Sequence, residues 1–371
     1  MVAVAPDTSA AEDRVSVASN WTLVWWRFRK HRLALFSAGI LICLYAVVIA
    51  PDFFSTQDPE LTDARQAFIP VQTLHLFDEG GFKPWVPGIV GKRNSVTLRM
   101  EWTTDPARKA YVGFFVQGYP YRILGLFETR THLIGPVEAN QRIFLLGSDR
   151  LGRDQWSRIM HGTQTSMTIG LVAVTLSVLL GVLLGGISGY YGGLPDQIIQ
   201  RMIELLQSVP TIPIWLALSA ALPRDWTPQQ VFFAITVILS LVGWTTLGRE
   251  VRGRFLALRE EDFVLAADLA GASRTRIIMR HMVPTFLSHI IATSSLAIPV
   301  MIINETSLSF LGLGIRPPAI SWGVLLQEAQ NIQTLALAPW LLIPGLLVIV
   351  AVLAFNLVGD GLRDASDPYS H

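Results

Sequence analysis

The stretch TSMTIGLVAVTLSVLLGVLLGGISGY, residues 165–190, contains no charged residue and is longer than the roughly 20 residues that an α-helix needs to cross a bilayer. Three glycines, Gly181, Gly185 and Gly189, recur in it at intervals of four. That spacing places them on one helix face, where the absence of side chains permits a second helix to approach closely. The stretch therefore predicts a membrane-spanning helix with a close-packed neighbour.

Five further uncharged runs have a similar length. Hydrophobic residues make up 51% of the 371-residue chain and charged residues 15%, compared with about 25% charged residues in a typical soluble domain. We therefore predict an all-α polytopic membrane protein with six transmembrane helices. The other five runs are residues 33–50, 205–222, 230–248, 284–304 and 337–358.

Basic residues indicate the orientation of these helices, because Lys and Arg are concentrated in short loops on the cytoplasmic side of membrane proteins. A basic cluster at 27–32 precedes the first run, and seven arginines lie at 249–284. The short loops around Arg224 and Arg316 carry one arginine each. Both clusters predict the same topology, with both termini and the loop 249–284 in the cytoplasm.

The chain divides into four regions by composition. The first is polar and rich in Ala and Ser, which predicts a disordered tail. The long segment between helices 1 and 2 contains strand-like runs at 111–118 and 121–127, which predict a small β-containing external subdomain, either a structural cap or a docking surface. The regions are the tail (1–20), the basic segment with transmembrane helix 1 (21–51), the external insert (52–145) and the core of helices 2–6 (146–368).

The stretch LAADLAGASRTRIIMRHMVP, residues 265–284, has the pattern of two short helices within the predicted cytoplasmic loop. Asp262 can cap the first helix, which ends at Gly271, since glycine adopts the left-handed conformation at a helix end most readily. Ser273 can cap the second helix, and Pro284 ends it. We predict a compact two-helix projection, which either docks on a partner or lies on anionic lipid through its arginines.

The sequence contains no recognisable catalytic motif. It has no HExxH zinc motif, no GxSxG nucleophile motif and no GxxxxGK[ST] phosphate loop, and its single cysteine, Cys43, excludes an intrachain disulfide. We therefore expect that the chain is not an enzyme, does not hydrolyse ATP itself and holds no metal or cofactor.

Four segments resemble those of a known transporter family. Residues 265–284 resemble the EAA loop of ABC-importer permeases, in which EAA is followed by three residues, a glycine, a hydrophobic pair and a proline; Leu265 stands where the family has Glu. Three other segments resemble the C-type permease of dipeptide and oligopeptide importers. They are LGSDRLGRDQWSRIMHG (146–162), SLSFLGLGIRPPAISWGVLL (307–326) and NLVGDGLRDASDP (356–368).

The resemblance implies a permease subunit of an ATP-driven importer, with six helices of the type I ABC-importer kind in the bacterial cytoplasmic (inner) membrane. With a second homologous permease it would form a path for dipeptides or oligopeptides, which an external solute-binding protein would deliver. One or two partner ABC ATPases would bind ATP and Mg and receive the 265–284 loop, and nucleic acid would have no role. The ATPase-coupling residues that the family pattern implies are Leu265, Ala266, Ala267, Gly271, Ala272, Ile277, His281 and Pro284.

Polar groups inside spans are candidates for the translocation path, because burying them against lipid is costly. Asn304 and Glu305 lie at the end of the fifth predicted span. Ser294 lies near its middle, where a serine often bonds its own helix backbone instead. The segment 146–162 and the insert are expected to form much of the outer mouth. Four charged residues of the segment 146–162 are expected to pair with one another or with the second permease: Asp149, Arg150, Arg153 and Asp154.

Other functions remain open from the sequence. Permeases of the same importer class also carry oligosaccharides, opines or nickel. A secondary transporter would show ionisable residues near the midplane and an inverted repeat, and neither is visible. A membrane-embedded hydrolase lacks a recognisable nucleophile and base. A membrane receptor or scaffold would use the external subdomain and leave residues 265–284 dispensable.

Overall fold

The computed structural model describes residues 20–78, 80–96, 100–138, 141–223 and 225–366. Within these ranges the chain forms a set of long helices with one β-sheet inserted after the first of them. The predicted disordered tail, apart from residue 20, lies outside the described residues, as do Arg224 and the last two residues of the segment 356–368.

Three helices precede the sheet, and the second is long and apolar. Its first turn is capped by the His31 side chain, whose Nδ1 accepts a hydrogen bond of 3.1 Å from the Ala34 backbone N–H. The side chains of Leu33, Phe36 and Ile42 are exposed on it, as expected for a helix that faces lipid. The helices are α1 (Asn20–Phe28), α2 (Arg32–Ile49) and α3 (Pro51–Phe54).

Ten helices follow the sheet in the described residues. They are α4 (Gln155–Tyr191), α5 (Gly193–Ser208), α6 (Thr211–Ala220), α7 (Pro228–Leu258), α8 (Asp262–Leu269), α9 (Arg274–Arg276), α10 (Leu287–Phe310), α11 (Trp322–Glu328), α12 (Ile332–Leu337) and α13 (Ile343–Ser366). A π-helical turn, Ile277–Met282, and a 3₁₀ turn, Val283–Phe286, join α9 to α10 without a break. Two further 3₁₀ turns, Ala64–Gln66 and Pro339–Leu342, lie before the sheet and before α13.

Five segments in the described part of the chain are long and apolar enough to cross a membrane. A sixth crossing is present if α5 and α6, which meet at an angle of 88°, together make one span. The five segments are Arg32–Ile49, Gln155–Tyr191, Pro228–Leu258, Arg274–Phe310 and Pro339–Ser366.

The single spanning helix predicted at 205–222 is replaced by the bent pair α5 and α6. Pro210 lies between them, and Val209 before it is extended, with φ −104° and ψ 136°. A proline disfavours the helical conformation of the residue that precedes it, because its ring clashes with that residue's backbone. The uncharged composition of this run therefore concealed a break in the helix.

The helix α4 packs closely against α7 along its glycine face. A Cβ atom on Gly185 would meet the carbonyl oxygen of Gly248. On Gly189, a Cβ atom would lie 2.6 Å from the Cβ atom of Phe255. These separations are shorter than van der Waals contact, so the two backbones can approach this closely only where α4 has no side chains. The predicted close-packed neighbour is confirmed, and it is α7.

The insert forms a four-stranded antiparallel meander in the order β1-β2-β3-β4. The runs predicted as two strands, 111–118 and 121–127, belong mostly to one strand, and that part of the prediction was wrong. The pairing of that strand with β4 shifts register between Gln117 and Tyr121, and such an irregularity accommodates Pro120, which has no N–H to donate. The strands are β1 (His75–Asp78), β2 (Gly81–Arg93), β3 (Met100–Ile123) and β4 (Phe127–Pro136).

The end of α4 nearest the sheet, called its sheet side below, is fixed by a buried group of charges. Asp149 accepts hydrogen bonds from Arg153, at 2.6 Å, and from Arg158. Glu328 of α11 accepts from the same two arginines, at 2.8 and 3.0 Å. Asp149, Arg153, Arg158 and Glu328 are called the charge clamp below.

The clamp partly matches the pairing expected for residues 146–162. Asp149 and Arg153 pair as predicted, whereas Arg150 is exposed. Asp154 instead caps α4, accepting hydrogen bonds from the backbone N–H of Ser157, at 2.8 Å, and from the hydroxyl of Thr56, at 2.9 Å. Burial nevertheless raises the pKa of the Asp154 carboxyl above its ordinary value.

Replacing Gly189 with alanine should destabilise the protein by about 1–3 kcal/mol, because the added methyl group overpacks the contact between α4 and α7. The measurement is thermal unfolding of the purified chain in detergent. Gly39 is the matched control, since it lies in α2 with open space at its Cβ position. Gly39→Ala should leave the unfolding temperature unchanged or raise it. Equal losses in both variants would contradict the close approach.

Replacing Arg158 with methionine should destabilise the protein by about 3–5 kcal/mol, because the buried carboxylates lose one of their partners. The Arg158 side chain is 1% exposed. Arg122 is the control, since its ion pair with Glu128 has side chains that are 64% and 72% exposed. Thermal unfolding of Arg122→Met should match that of the unmodified chain. An unchanged unfolding temperature of Arg158→Met would show that the charge clamp contributes little to the stability of the protein.

Candidate functional site

The segment between α7 and α10, residues 259–286, is called the α7–α10 connection below. Its first helix, α8, ends at Gly271, whose φ of +77° lies in the left-handed region. The N–H of Gly271 bonds the carbonyl of Asp268 at 2.9 Å, and the N–H of Ala272 bonds that of Ala267 at 3.1 Å. These two bonds form a Schellman motif, so the predicted helix end at Gly271 is confirmed.

The other predicted ends of the two helices differ from the structure. Asp262 is the first residue of α8 rather than its cap. Ser273 occupies the predicted N-cap position of the second helix, but its side chain forms no capping bond. Pro284 does not end the second helix, which continues into α10. The π-helical turn before it bonds the N–H of Val283 to the carbonyl of Ile278, and the 3₁₀ turn follows. This change of hydrogen-bond pattern accommodates the missing N–H of proline.

One face of the α7–α10 connection is fixed in the protein interior. Val264, Ile277 and Met282 are buried in one cluster with Phe255 and Phe286, whose ring centroids are 5.7 Å apart. Ala267 and Ala272 are half-buried against the same cluster. These residues therefore position the connection, and three of the implied coupling residues are among them: Ala267, Ala272 and Ile277.

The opposite face carries exposed apolar side chains. Leu265 is 48% exposed and Leu269, one turn later, is 89% exposed. Met279 is exposed as well. So are Ala266, within α8, and Gly271, between α8 and α9. Leu269 was not among the residues predicted from the sequence, although an apolar residue four positions after Leu265 indicates an apolar stripe along one helix face.

The connection rests on the end of α4 that is far from the sheet. The guanidinium of Arg274 lies over the ring of Tyr191, 5.5 Å from its centroid, in a cation–π arrangement. An open cleft of about 340 Å³ separates the two elements and includes Tyr190, Arg259 and Asp268 in its lining. The implied coupling residues His281, half-buried, and Pro284, exposed, lie at the base of α10.

Glu305 lies in the interior of the protein and joins three helices. Its Oε2 atom accepts a hydrogen bond from the hydroxyl of Ser166 in α4, and its Oε1 atom accepts from that of Ser309, both at 2.8 Å. The Ser166 oxygen in turn accepts from the backbone N–H of Trp322 in α11 at 3.1 Å. Glu305 is fully buried, so in this conformation it serves as a tie between α4, α10 and α11.

The other two predicted pathway residues also lie on α10. Asn304 is half-buried. Ser294 is half-buried too, and its hydroxyl donates to the carbonyl of Ile290 in its own helix at 2.5 Å. That bond satisfies the hydroxyl locally, as serines in spanning helices often are. A role for Asn304, Glu305 and Ser294 in the path stays a prediction.

An open groove lies between α4 and α7 on the sheet side, with a volume of about 470 Å³. Its polar groups are amides and hydroxyls, and none of the described residues that line it is charged. This groove was not predicted from the sequence, because its two main walls, on α4 and α7, are about 60 residues apart in the chain. The side chains that line it are Gln164, Thr165, Thr168, Pro228, Gln229, Phe232, Phe233, Ile315 and Ala319.

Among the residues that the structure describes, no group of three or more His, Cys, Asp or Glu side chains is placed to hold a metal ion. The charged groups of the clamp are paired with one another, as given above.

Two protein-family models match the chain. Residues 177–369 match the model described as "Binding-protein-dependent transport system inner membrane component". Residues 19–70 match the model described as "N-terminal TM domain of oligopeptide transport permease C". The first match includes α7, the α7–α10 connection, α10 and α13, and the second includes α2.

Curated proteins of similar sequence carry related names. The oligopeptide transport system permease protein OppC of Bacillus subtilis is 36% identical over 239 residues, which are 64% of this chain and 76% of that protein. OppC of Haemophilus influenzae is 33% identical over 70% of this chain and 81% of its own length. The dipeptide transport system permease protein DppC of Alkalihalophilus pseudofirmus is 38% identical over 60% and 71%.

Solved structures with a detectable likeness include an inward-facing form of the methionine ABC transporter MetNI. It has a TM-score of 0.44 and 13% sequence identity and covers 56% of this chain and 96% of the matched chain. The family assignment depends on the sequence matches. The chain belongs to the family of binding-protein-dependent transport system inner membrane components, in the group that contains the C-type permeases of oligopeptide and dipeptide ABC importers.

Proposed function

We propose that this chain carries oligopeptides or dipeptides across the inner membrane as the permease subunit of an ATP-driven importer. The observation that carries this proposal is the joint match of its N-terminal region to the oligopeptide permease C model and of residues 177–369 to the transport-component model. Relatives at 33–38% identity, named as oligopeptide and dipeptide permeases, support the same substrate class.

In the proposed topology α5 and α6 together form the third of six spans. Both termini and the α7–α10 connection then face the cytoplasm, and the β-sheet faces outward. The arginines of the connection support this orientation, because basic residues are concentrated in short cytoplasmic loops. The 88° bend between α5 and α6 would leave backbone groups near Pro210 without helical partners, so we expect that protein or water contacts them.

The groove between α4 and α7 has chemistry suited to peptides. Peptides of different sequence share a backbone of amide donors and acceptors, which the amides of Gln164 and Gln229 and the hydroxyl of Thr168 can match. Phe233 adds an exposed apolar surface for side chains. The absence of charge from the described lining would favour no particular peptide charge. We propose that this groove lines one side of the translocation path and that a second permease lines the other side.

The α7–α10 connection is proposed to receive force from a partner ATPase that binds ATP and Mg. Leu265, Leu269 and Met279 would insert into a cleft of that partner, while the buried cluster around Ile277 holds the connection rigid. Its second half continues as one helical segment, Arg274–Phe310. A movement at the connection would therefore displace α10 as a unit, in the manner of a two-state switch between inward-open and outward-open forms.

An uptake experiment tests the proposed function. The chain is co-expressed with a partner permease, ATPases and a binding protein from the same organism, and the purified assembly is reconstituted in liposomes. Uptake of a labelled tripeptide into the lumen should require all components and ATP enclosed in the lumen, on the side of the ATPases. Import by this chain alone, or import driven by a proton gradient, would contradict the proposal. A labelled trisaccharide and nickel ion serve as alternative cargoes in the same assay.

Replacing Leu269 with glutamate should weaken binding of the ATPase by at least about tenfold, because a buried apolar anchor of an interface would become a charge. The measurement is the amount of ATPase that co-purifies with the assembly at increasing dilution. Val96 is the control, since it is 88% exposed in the sheet region and far from the connection. Val96→Glu should retain the ATPase. If Leu269→Glu retains as much ATPase as the unmodified chain, Leu269 does not lie in the interface with the ATPase.

A further inference from the structure

The sheet meets the long helices at one joint that contains two histidines. Four elements converge there: the short helix α3, the first turns of α4, and the strands β3 and β4. None of these groups has a role in the proposed transport function. The side chains at the centre of the joint are Asp52 of α3, His161 of α4, Tyr119 of β3 and His132 of β4.

His132 is placed between two hydrogen-bond acceptors and is 1% exposed. Its Nδ1 atom lies 2.7 Å from the carbonyl oxygen of Asp52, and its Nε2 atom lies 3.0 Å from the carbonyl oxygen of Tyr119. A carbonyl oxygen accepts hydrogen bonds and cannot donate them. A neutral imidazole carries one N–H, so it can donate to only one of these oxygens. The lone pair of its other nitrogen would then face the second oxygen and repel it. Both contacts are hydrogen bonds only in the imidazolium form.

His161, on the other side of the joint, also has a hydrogen-bond acceptor at each ring nitrogen. Its Nδ1 atom lies 3.0 Å from the carbonyl oxygen of Ser157, and its Nε2 atom lies 3.2 Å from the Oδ1 atom of Asp52. Both partners are again acceptors, since Asp52 is a carboxylate. His161 therefore also donates from both nitrogens only when it is protonated.

The surroundings of the two histidines favour positive charge. The ring centroids of Tyr119 and Tyr121 lie 4.5 and 4.9 Å from that of His132, where their faces can stabilise a cation. Asp52 lies between the histidines and accepts a hydrogen bond of 2.9 Å from the Tyr119 hydroxyl. The other charged group that acts on Tyr119 is Asp58, in the loop after α3.

Asp52 is the fixed charge of the joint. Burial raises the pKa of its carboxyl, but the hydrogen bonds from His161 and Tyr119 and the charges of both histidines lower it by more, so the pKa lies below its ordinary value. The joint thus holds one fixed negative charge between two imidazole rings, and imidazole is the side chain whose charge changes most readily between pH 5 and 8.

We propose that this joint is a proton-dependent latch: protonated His132 and His161 fasten the β3–β4 hairpin to α3 and α4, and loss of those protons loosens it. The fastened joint binds both protons, whereas a histidine released to water above about pH 7 binds none. Fastening is therefore complete at mildly acidic pH and is lost as pH rises. The equilibrium should change by up to about tenfold per pH unit for each proton released.

Hydrogen exchange of the wild-type assembly in lipid nanodiscs tests the latch. Fragments that cover Tyr119–Ile123 and Phe127–His132 are followed from pH 5.5 to pH 8.0, with rates corrected for the intrinsic effect of pH on exchange. Their protection should fall at least tenfold across this range, while fragments of β2 keep theirs. Unchanged protection of the β3–β4 hairpin across the range would overturn the proposal.

Two variants separate the joint from the other histidine of the sheet, His75. His132→Gln should lower the protection of the hairpin at pH 5.5 to its value at pH 8.0 and remove the pH dependence. His75 is the matched control, because it is an exposed histidine in β1 whose ring stacks on Trp85 with centroids 4.4 Å apart. His75→Gln should reproduce the wild-type profile. A pH dependence that survives in His132→Gln and disappears in His75→Gln would overturn the latch.

A measurement without mutation covers the case in which His132→Gln does not fold. Ring carbon signals from ¹³C-labelled histidine in the wild-type chain report whether each imidazole is protonated. His132 and His161 should show imidazolium signals at pH 5.5 in the fastened state, and neutral signals there would overturn the proposal. Neither readout involves a transported substrate, so the latch and the proposed peptide import can fail separately.

Discussion

The close approach of α4 to α7 at Gly181, Gly185 and Gly189 is the constraint on which the rest of the structure depends. Helices in lipid gain no hydrophobic free energy by associating, so tight packing of their backbones supplies the attraction. The other faces of α4 carry the remaining attachments. Ser166 joins it to α10 and α11, and the charge clamp fixes its sheet side. A side chain in the glycine face would displace all of these together.

The continuous helical segment Arg274–Phe310 complements α4 as the second long element of the protein. One end carries the buried Ile277 and Met282 of the α7–α10 connection, and the other end carries Glu305. The hydrogen-bond pattern changes at Pro284, but the helical segment continues through it. The two ends therefore belong to one element, which is called the rod below. The tie from Glu305 to Ser166 then relates any movement of this rod to α4. A movement of the α7–α10 connection, at the end of α4 far from the sheet, could therefore reach the groove between α4 and α7 on the sheet side.

The sequence predicted those features whose signal is local. Glycines at intervals of four indicated the close-packed face, and Gly271 indicated the end of α8. It failed where a local signal was overridden: uncharged composition hid the bend at Pro210, and Pro284 was accommodated by a π-helical turn. The charge clamp could not be read, because Glu328 lies 170 residues after Arg158 and a pairing over that distance depends on the fold. The same holds for the groove.

The β-sheet is attached to the rest of the protein in two chemically different ways, and this difference limits what the latch can do. Near β2, Val86, Val112 and Ile143 form an apolar cluster, and Gln72 bonds the carbonyl of Pro87 at 2.8 Å. None of these groups titrates near neutral pH, so this attachment persists when the histidines lose their protons. The part of the β3–β4 hairpin around Tyr119 and His132 would then loosen, while Val112 in the same hairpin stays in the apolar cluster. Because His161 belongs to α4, the hairpin is released from the same helix whose far end supports the α7–α10 connection through Tyr191.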